Sequence, residues 1–200
     1  MRTGLLPEGR ARCIAPAAML QSHPAAITRP ERPIVLVGLM GVGKSTVGRR
    51  LAHRLDLPFV DADHEIEVAA DMTVAEIFER YGEAYFRDGE RRVIARLLDG
   101  EPKVIATGGG AFIQDTTRAE ILAHGIAIWL DADVDILADR VQRRDTRPLL
   151  KGRDPLATLG ALAAVRNPLY ALAPIHIRSA RGPHEATVDA IIEALMPAER

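Results

Sequence analysis

Lys44 is where chemistry first becomes legible. It belongs to the series Gly38, Gly43, Lys44, Ser45, which fits G-x-x-x-x-G-K-[ST] at full spacing. Glycines let a backbone curl until several N–H groups face one anion. A helix N-terminus directly behind adds partial positive charge. In such a loop Gly41, Val42, Gly43 and Lys44 hold phosphates, with the Lys44 ammonium reaching the β- and γ-phosphates. Ser45 and Thr46 stand at the metal and the helix start, the Ser45 hydroxyl being a ligand for Mg²⁺. The pattern points to a nucleoside triphosphate, but binding is not transfer.

Other residue types sit where an acceptor would be held. Asp61 and Asp63 end an apolar run, "PFVDAD" (58–63), and on a strand two such carboxylates point the same way. "GGG" (108–110) ends another apolar run and offers bare backbone to a ligand. Arg87, Arg147 and Arg166 are scattered, and each alone reads as a surface arginine.

The elements that must position these residues follow from periodicity. "PIVLV" (33–37), "PFVDAD", "KVIAT" (103–107), "IAIWL" (126–130) and "PIHIRS" read as strands. Between them lie helical stripes, such as Val47, Leu51 and Leu55, spaced four apart. "TVAE" (73–76) has the form of a capping box, and Gly82 is the expected stop. "EAYFRDGERRVIARLLDG" continues as a helix, and the helix holding "RNPLY" is expected to be disturbed near Pro168. Five strands alternating with helices predict a parallel sheet covered on both faces. Ligands in such sheets gather at the carboxyl ends of the strands.

With 200 residues, 48% of them hydrophobic, the chain suits one globular domain. A net charge of -1 gives no global bias towards nucleic acid or acidic membranes, and no run is long enough to span a bilayer. The single cysteine, Cys13, excludes an intrachain disulfide. Residues 1–31 carry scattered Pro, Gly and Arg without period and are expected to be a flexible extension. A targeting segment, or a true start at Met19, are the other readings of that stretch.

Taken in order, "GLMGVGKST", "DAD", "FRDGE", "ATGGGA", "TRPLL" and "RNPLY" resemble the shikimate kinase family. The resemblance runs from about Arg32 to the C-terminus, so 32–200 is expected to be one P-loop kinase domain. It implies a three-layer α/β/α P-loop kinase fold with a five-stranded parallel sheet and a mobile lid at about 143–155. It also implies a cytoplasmic monomer that uses ATP, shikimate and Mg²⁺. Residue by residue, it assigns the acceptor hydroxyls to Asp63, a water-mediated metal contact to Asp61, and the acceptor carboxylate to Arg87 and Arg166. Gly109 is implied as a substrate contact, Arg140 as the adenine-stacking arginine and Arg147 as the lid arginine reaching the transferring phosphate. Lys44, Asp63 and Arg147 form the expected catalytic set. Phe78 and Phe86 match aromatics beside the acceptor ring, and "SARGP" (179–183) corresponds roughly to the adenine-side loop.

The chemistry agrees with that assignment. Guanidinium groups offer paired donors to a carboxylate, and two from separate elements would orient it. Lys44, Mg²⁺ and an arginine arriving on closure would meet the charge spreading over the γ-phosphoryl group. A kinase of another small hydroxy acid such as gluconate, or a P-loop nucleotide-binding protein without turnover, are the alternatives.

Overall fold

The computed structural model describes residues 30–142, 154–179 and 182–196. Strand β1 (Ile34–Val37) is the apolar run before the glycine loop, and all four of its side chains are fully buried. It lies at the centre of a five-stranded sheet of order β2-β3-β1-β4-β5. The other strands are β2 (Phe59–Asp61), β3 (Val104–Ala106), β4 (Ile126–Asp131) and β5 (Ile175–Arg178). Every pairing is parallel, with Val35 level with Ile105 on one side and Ala127 on the other. Parallel pairing puts every strand's carboxyl end at one edge, so the loops after β1, β2 and β3 converge there. Helices cover both faces, giving the three-layer architecture expected from the alternation.

Helix α1 (Lys44–Leu55) turns Val47, Leu51 and Leu55 inward as predicted. It also buries Gly48, where an added Cβ would lie 2.6 Å from the Phe59 ring and 3.2 Å from Leu36. Helix α3 (Val74–Leu98) starts at a complete capping box, with Thr73 accepting from the Glu76 N–H and Glu76 accepting from the Thr73 N–H. Gly82, the expected stop, does end one helical run: its φ of 77° and ψ of 178° are non-helical, and a second run begins across the kink. The aromatic pair stands on either side of that kink, Phe78 partly exposed and Phe86 buried, with ring centroids 4.6 Å apart.

Two local expectations are corrected. The Asp61–Asp63 pair is not a strand pair, because β2 ends at Asp61 and helix α2 (Ala62–Ala70) begins at once. Asp61 is the N-cap, its side chain accepting the Asp63 N–H, and Asp63 lies in the first helical turn. A capping carboxylate that satisfies an otherwise orphaned N–H ends the strand here. The second concerns Pro168. Helix α6 (Pro155–Tyr170) runs through it to Tyr170 rather than breaking, and the Asn167 carbonyl still accepts the Ala171 N–H at 2.9 Å. Burial of Leu159, Ala163 and Tyr170 outweighs the single backbone bond that proline removes.

The remaining helices are α4 (Asp115–His124), α5 (Val134–Gln142) and α7 (His184–Leu195), and a 3₁₀ turn spans Ala111–Ile113. Among the described residues no helix is long and apolar enough to cross a membrane. The expected lid, 143–155, lies almost wholly outside the described residues, as does the 1–29 stretch with Cys13 and Met19.

Gly48→Ala tests the α1–sheet contact. Alanine gains up to about 1 kcal/mol in helix propensity, but forcing a methyl into this contact costs about 1–3 kcal/mol. The variant is expected to have a lower urea midpoint; an equal or higher midpoint contradicts the packing described.

Candidate active site

The turn after β1 is shaped by what surrounds it. Gly38 has a φ of 134°, and an added Cβ would lie 2.3 Å from the Leu130 carbonyl oxygen, so only glycine fits. Lys44 Nζ donates to the carbonyls of Gly38 (2.7 Å) and Leu39 (3.0 Å), tying the ammonium across the start of the loop. The Ser45 hydroxyl donates to Asp61 Oδ2 at 2.7 Å. Asp61 therefore serves the glycine loop with one oxygen and caps α2 with the other. The carbonyl of Val42, a fully buried residue, accepts from Arg140 Nη1 at 3.4 Å, which brings the end of α5 to the loop. Thr46, Gly41, Gly43 and Lys44 line a cavity of about 360 Å³ that extends to Asp63 and Gly109.

Gly108 and Gly109, the first two residues of the turn Gly108–Gly110 after β3, form the far wall of that cavity. The turn's three glycines meet three different groups. At Gly108 an added Cβ would lie 2.7 Å from Asp63 Oδ1 and 3.1 Å from Glu90 Oε1. At Gly110 it would lie 2.5 Å from the Arg87 guanidinium. Gly109 has ordinary clearance, 3.6 Å to Gly38 O and 3.7 Å to Arg166 Nη1, so its side faces the phosphate loop and Arg166. The Gly109 carbonyl accepts from Arg166 Nη1 (3.3 Å) and from the Tyr170 hydroxyl (2.5 Å). Asp63, Arg87 and Arg166 arrive from α2, α3 and α6, and the turn gathers them within one short stretch of backbone.

Arg87 is held before any ligand arrives. Its Nη1 donates to Glu90 Oε2 at 2.7 Å and its Nη2 to Glu83 at 3.1 Å. Burial alone would lower the Arg87 pKa, but the carboxylates of Glu90 and Glu83 overcome it, so the guanidinium stays charged. Glu90 is 1% exposed, and its Oε1 has no hydrogen-bond partner among the described residues. Burial pushes its carboxyl above the usual carboxylate range, with Arg87 pulling the other way and Asp63 adding to the rise. Burial also pushes the Tyr170 phenol up to about 12 against the pull of Arg166, so it remains a donor at neutral pH.

The donor set also suits a hard cation. Ser45 and Asp61 present oxygens side by side at the phosphate end of the cavity. Mg²⁺ commonly takes only one or two protein oxygens beside phosphates and water, and these residues fit that need.

Of the residues singled out from sequence, Gly41, Gly43, Lys44, Ser45, Thr46, Asp61, Asp63, Gly109 and Arg140 line one cavity. Arg87 and Arg166 stand on its glycine wall, and Arg147 lies outside the described residues. Ala180 and Arg181 of the 179–183 loop lie outside them too. Sequence reasoning missed Glu90, Tyr170 and His184. Glu90 falls three residues after Arg87, the helical spacing of an ion pair, and Tyr170 falls four after Arg166. His184 opens α7 and approaches the Gly43 turn, where an added Cβ would lie 3.2 Å from its Cε1. No local signal pointed to it.

Comparison with known proteins agrees with this geometry. The family model described as shikimate kinase matches residues 40–196. The shikimate kinase of Bradyrhizobium diazoefficiens is 60% identical over 164 residues, 82% of this chain and 79% of that protein. The shikimate kinase of Novosphingobium aromaticivorans is 58% identical over 171 residues, 84% of this chain and 89% of that protein. Among solved structures, shikimate kinase from Acinetobacter baumannii in complex with shikimate is similar with a TM-score of 0.80 at 37% identity, covering 86% of this chain and 97% of that one. A match of this extent, over a chain whose glycine loop, paired aspartates and Gly108–Gly109 backbone share one cleft, places the protein in the shikimate kinase family.

Proposed function

We propose that this chain transfers the γ-phosphoryl group of ATP to a hydroxyl of shikimate, giving ADP and shikimate 3-phosphate for aromatic amino acid biosynthesis. The observation that carries this reading is the meeting of Asp63, Arg87 and Arg166 at Gly108–Gly110, across one cavity from Lys44 and Ser45. The shikimate bound by the Acinetobacter baumannii relative supports the choice of acceptor. The chain works as one domain over 32–200, as a monomer, in the cytoplasm.

In the reaction the acceptor oxygen attacks the γ-phosphorus. Its new bond to phosphorus forms as the bond to the β–γ bridging oxygen breaks, and ADP leaves. Asp63 accepts a hydrogen bond from the acceptor hydroxyl, orients its oxygen for in-line attack and receives its proton as the new bond forms. Arg87, already fixed by Glu90, and Arg166 grip the acceptor carboxylate from two elements. Lys44 exchanges the Gly38 and Leu39 carbonyls for β- and γ-phosphate oxygens, beside the N–H groups of Gly41, Val42 and Gly43. Mg²⁺, held by Ser45 and through water by Asp61, supplies neutralisation of phosphate charge when bound. Arg140 takes the adenine, Thr46 the phosphate side of the helix start, and Arg147 the transferring phosphate on closure.

The direct test is a coupled ADP-release assay with Mg-ATP and shikimate. Shikimate-dependent turnover is expected; folded protein without it overturns the reading. Two substitutions then separate the halves of the site. Lys44→Met is expected to lower kcat by about 10³-fold or more while shikimate still binds. Arg166→Ala is expected to raise the shikimate KM by at least about tenfold, with ADP affinity within about twofold of the parent, from the loss of a charge-assisted hydrogen bond. An unchanged shikimate KM would refute the carboxylate assignment.

A further inference from the structure

Tyr170 is fully buried, and the reaction as derived above gives it no part. Its ring lies between Phe112, with centroids 6.5 Å apart, and Trp129, at 6.1 Å. Phe112 belongs to the 3₁₀ turn that follows Gly110, so the ring is clamped to the glycine wall from below. Its hydroxyl passes 61 positions back along the chain to donate to the Gly109 carbonyl at 2.5 Å. Arg166 donates to that same carbonyl at 3.3 Å. The two donors are four residues apart on α6, hence on one helical face.

This shared acceptor poses an exchange problem. In the proposed reaction Arg166 must turn its guanidinium to the acceptor carboxylate, away from Gly109. A part-buried carbonyl left without a donor would oppose that move. Tyr170 removes the obstacle, because its shorter bond keeps Gly109 satisfied whichever way Arg166 points. Burial pushes its phenol up to about 12, so this donor keeps its proton at neutral pH. The same bond fixes the plane of the Gly109–Gly110 peptide and so the position of the wall that Arg87 and Asp63 share.

We propose that Tyr170 is a positioning residue for acceptor binding: by holding the Gly109 carbonyl it releases Arg166 to the acceptor carboxylate and keeps the Gly108–Gly110 wall in register. This rests on the reading of Arg166 as a shikimate contact.

Tyr170→Phe in the full chain keeps the ring and removes only the donor. Shikimate KM and calorimetric Kd are expected to rise about 3–10-fold, the equivalent of one ordinary hydrogen bond. ADP affinity and ATP KM are expected to stay within about twofold. In an Arg166→Ala background the same change is expected to move the shikimate KM by less than about twofold, because the effect runs through Arg166. If Arg166→Ala raises the shikimate KM and Tyr170→Phe does not, Tyr170 is merely structural and the proposal falls while the carboxylate reading stands. A full Tyr170→Phe effect in the Arg166→Ala background also overturns it. If Arg166→Ala itself leaves the shikimate KM unchanged, both fall together. A lowered Tm with an unaltered shikimate Kd counts against the proposal.

Discussion

The turn Gly108–Gly110 is the constraint on which the site depends. It lies at the end of β3, and β3 lies between β2 and β1, so one side of the turn faces the aspartates and the other faces the glycine loop. A methyl at Gly108 would collide with Asp63 and Glu90, and one at Gly110 with Arg87. The charged groups can come this close only because the wall between them has no side chains. Three helices, α2, α3 and α6, thus deliver three polar groups to one strip of backbone. The parallel register of β1 with β3 and β4 brings that strip level with the phosphate loop.

Charge is arranged on the same plan. Holding two charges out of water is expensive unless they are paired, and a pair broken by losing one partner costs about 3–5 kcal/mol. Arg87 is kept charged by Glu90 and Glu83, while one buried oxygen of Glu90 has no donor among the described residues. The cost falls on Glu90, and the gain is a guanidinium fixed before an acceptor arrives, with less side-chain freedom left to lose on binding. On the phosphate side Lys44 is likewise held by loop carbonyls that phosphate oxygens can replace. Both halves are organised in advance, and each keeps a group that can exchange protein partners for ligand ones.

Much of this was legible in the sequence, for physical reasons that differ by residue. The glycine loop is local: its spacing, the strand before it and the helix after it are contiguous, so Gly38 to Thr46 can be read directly. The parallel sheet and its covering on both faces follow from alternation and apolar runs, whereas the strand order comes only from the fold. Asp63 was placed at the correct sheet edge but on the wrong element, since "PFVDAD" carries no local mark showing that the strand ends at Asp61 and a helix begins at once. Pro168 suggested a disturbed helix, yet the helix runs on to the buried Tyr170. Glu90 and Tyr170 were hidden because each takes its meaning from a carbonyl or charge that only the fold brings near. The break at Gly82 was visible as a stop between two helical runs, and the structure has it there. The lid with Arg147 lies outside the described residues, so its role stands on the family resemblance alone.

The phosphate loop would serve many acceptors; the choice among them is assigned to the wall and its two arginines. The methyl ester of shikimate keeps the ring and every hydroxyl but loses the negative charge that those arginines are proposed to meet. Comparing kcat/KM for shikimate and for its ester, at saturating Mg-ATP, tests that assignment most directly. Two charge-assisted contacts are each worth about 1.5–3 kcal/mol, so the ester is expected to be poorer by at least about 100-fold. An ester used nearly as well as shikimate would contradict the claim that Arg87 and Arg166 select the acceptor.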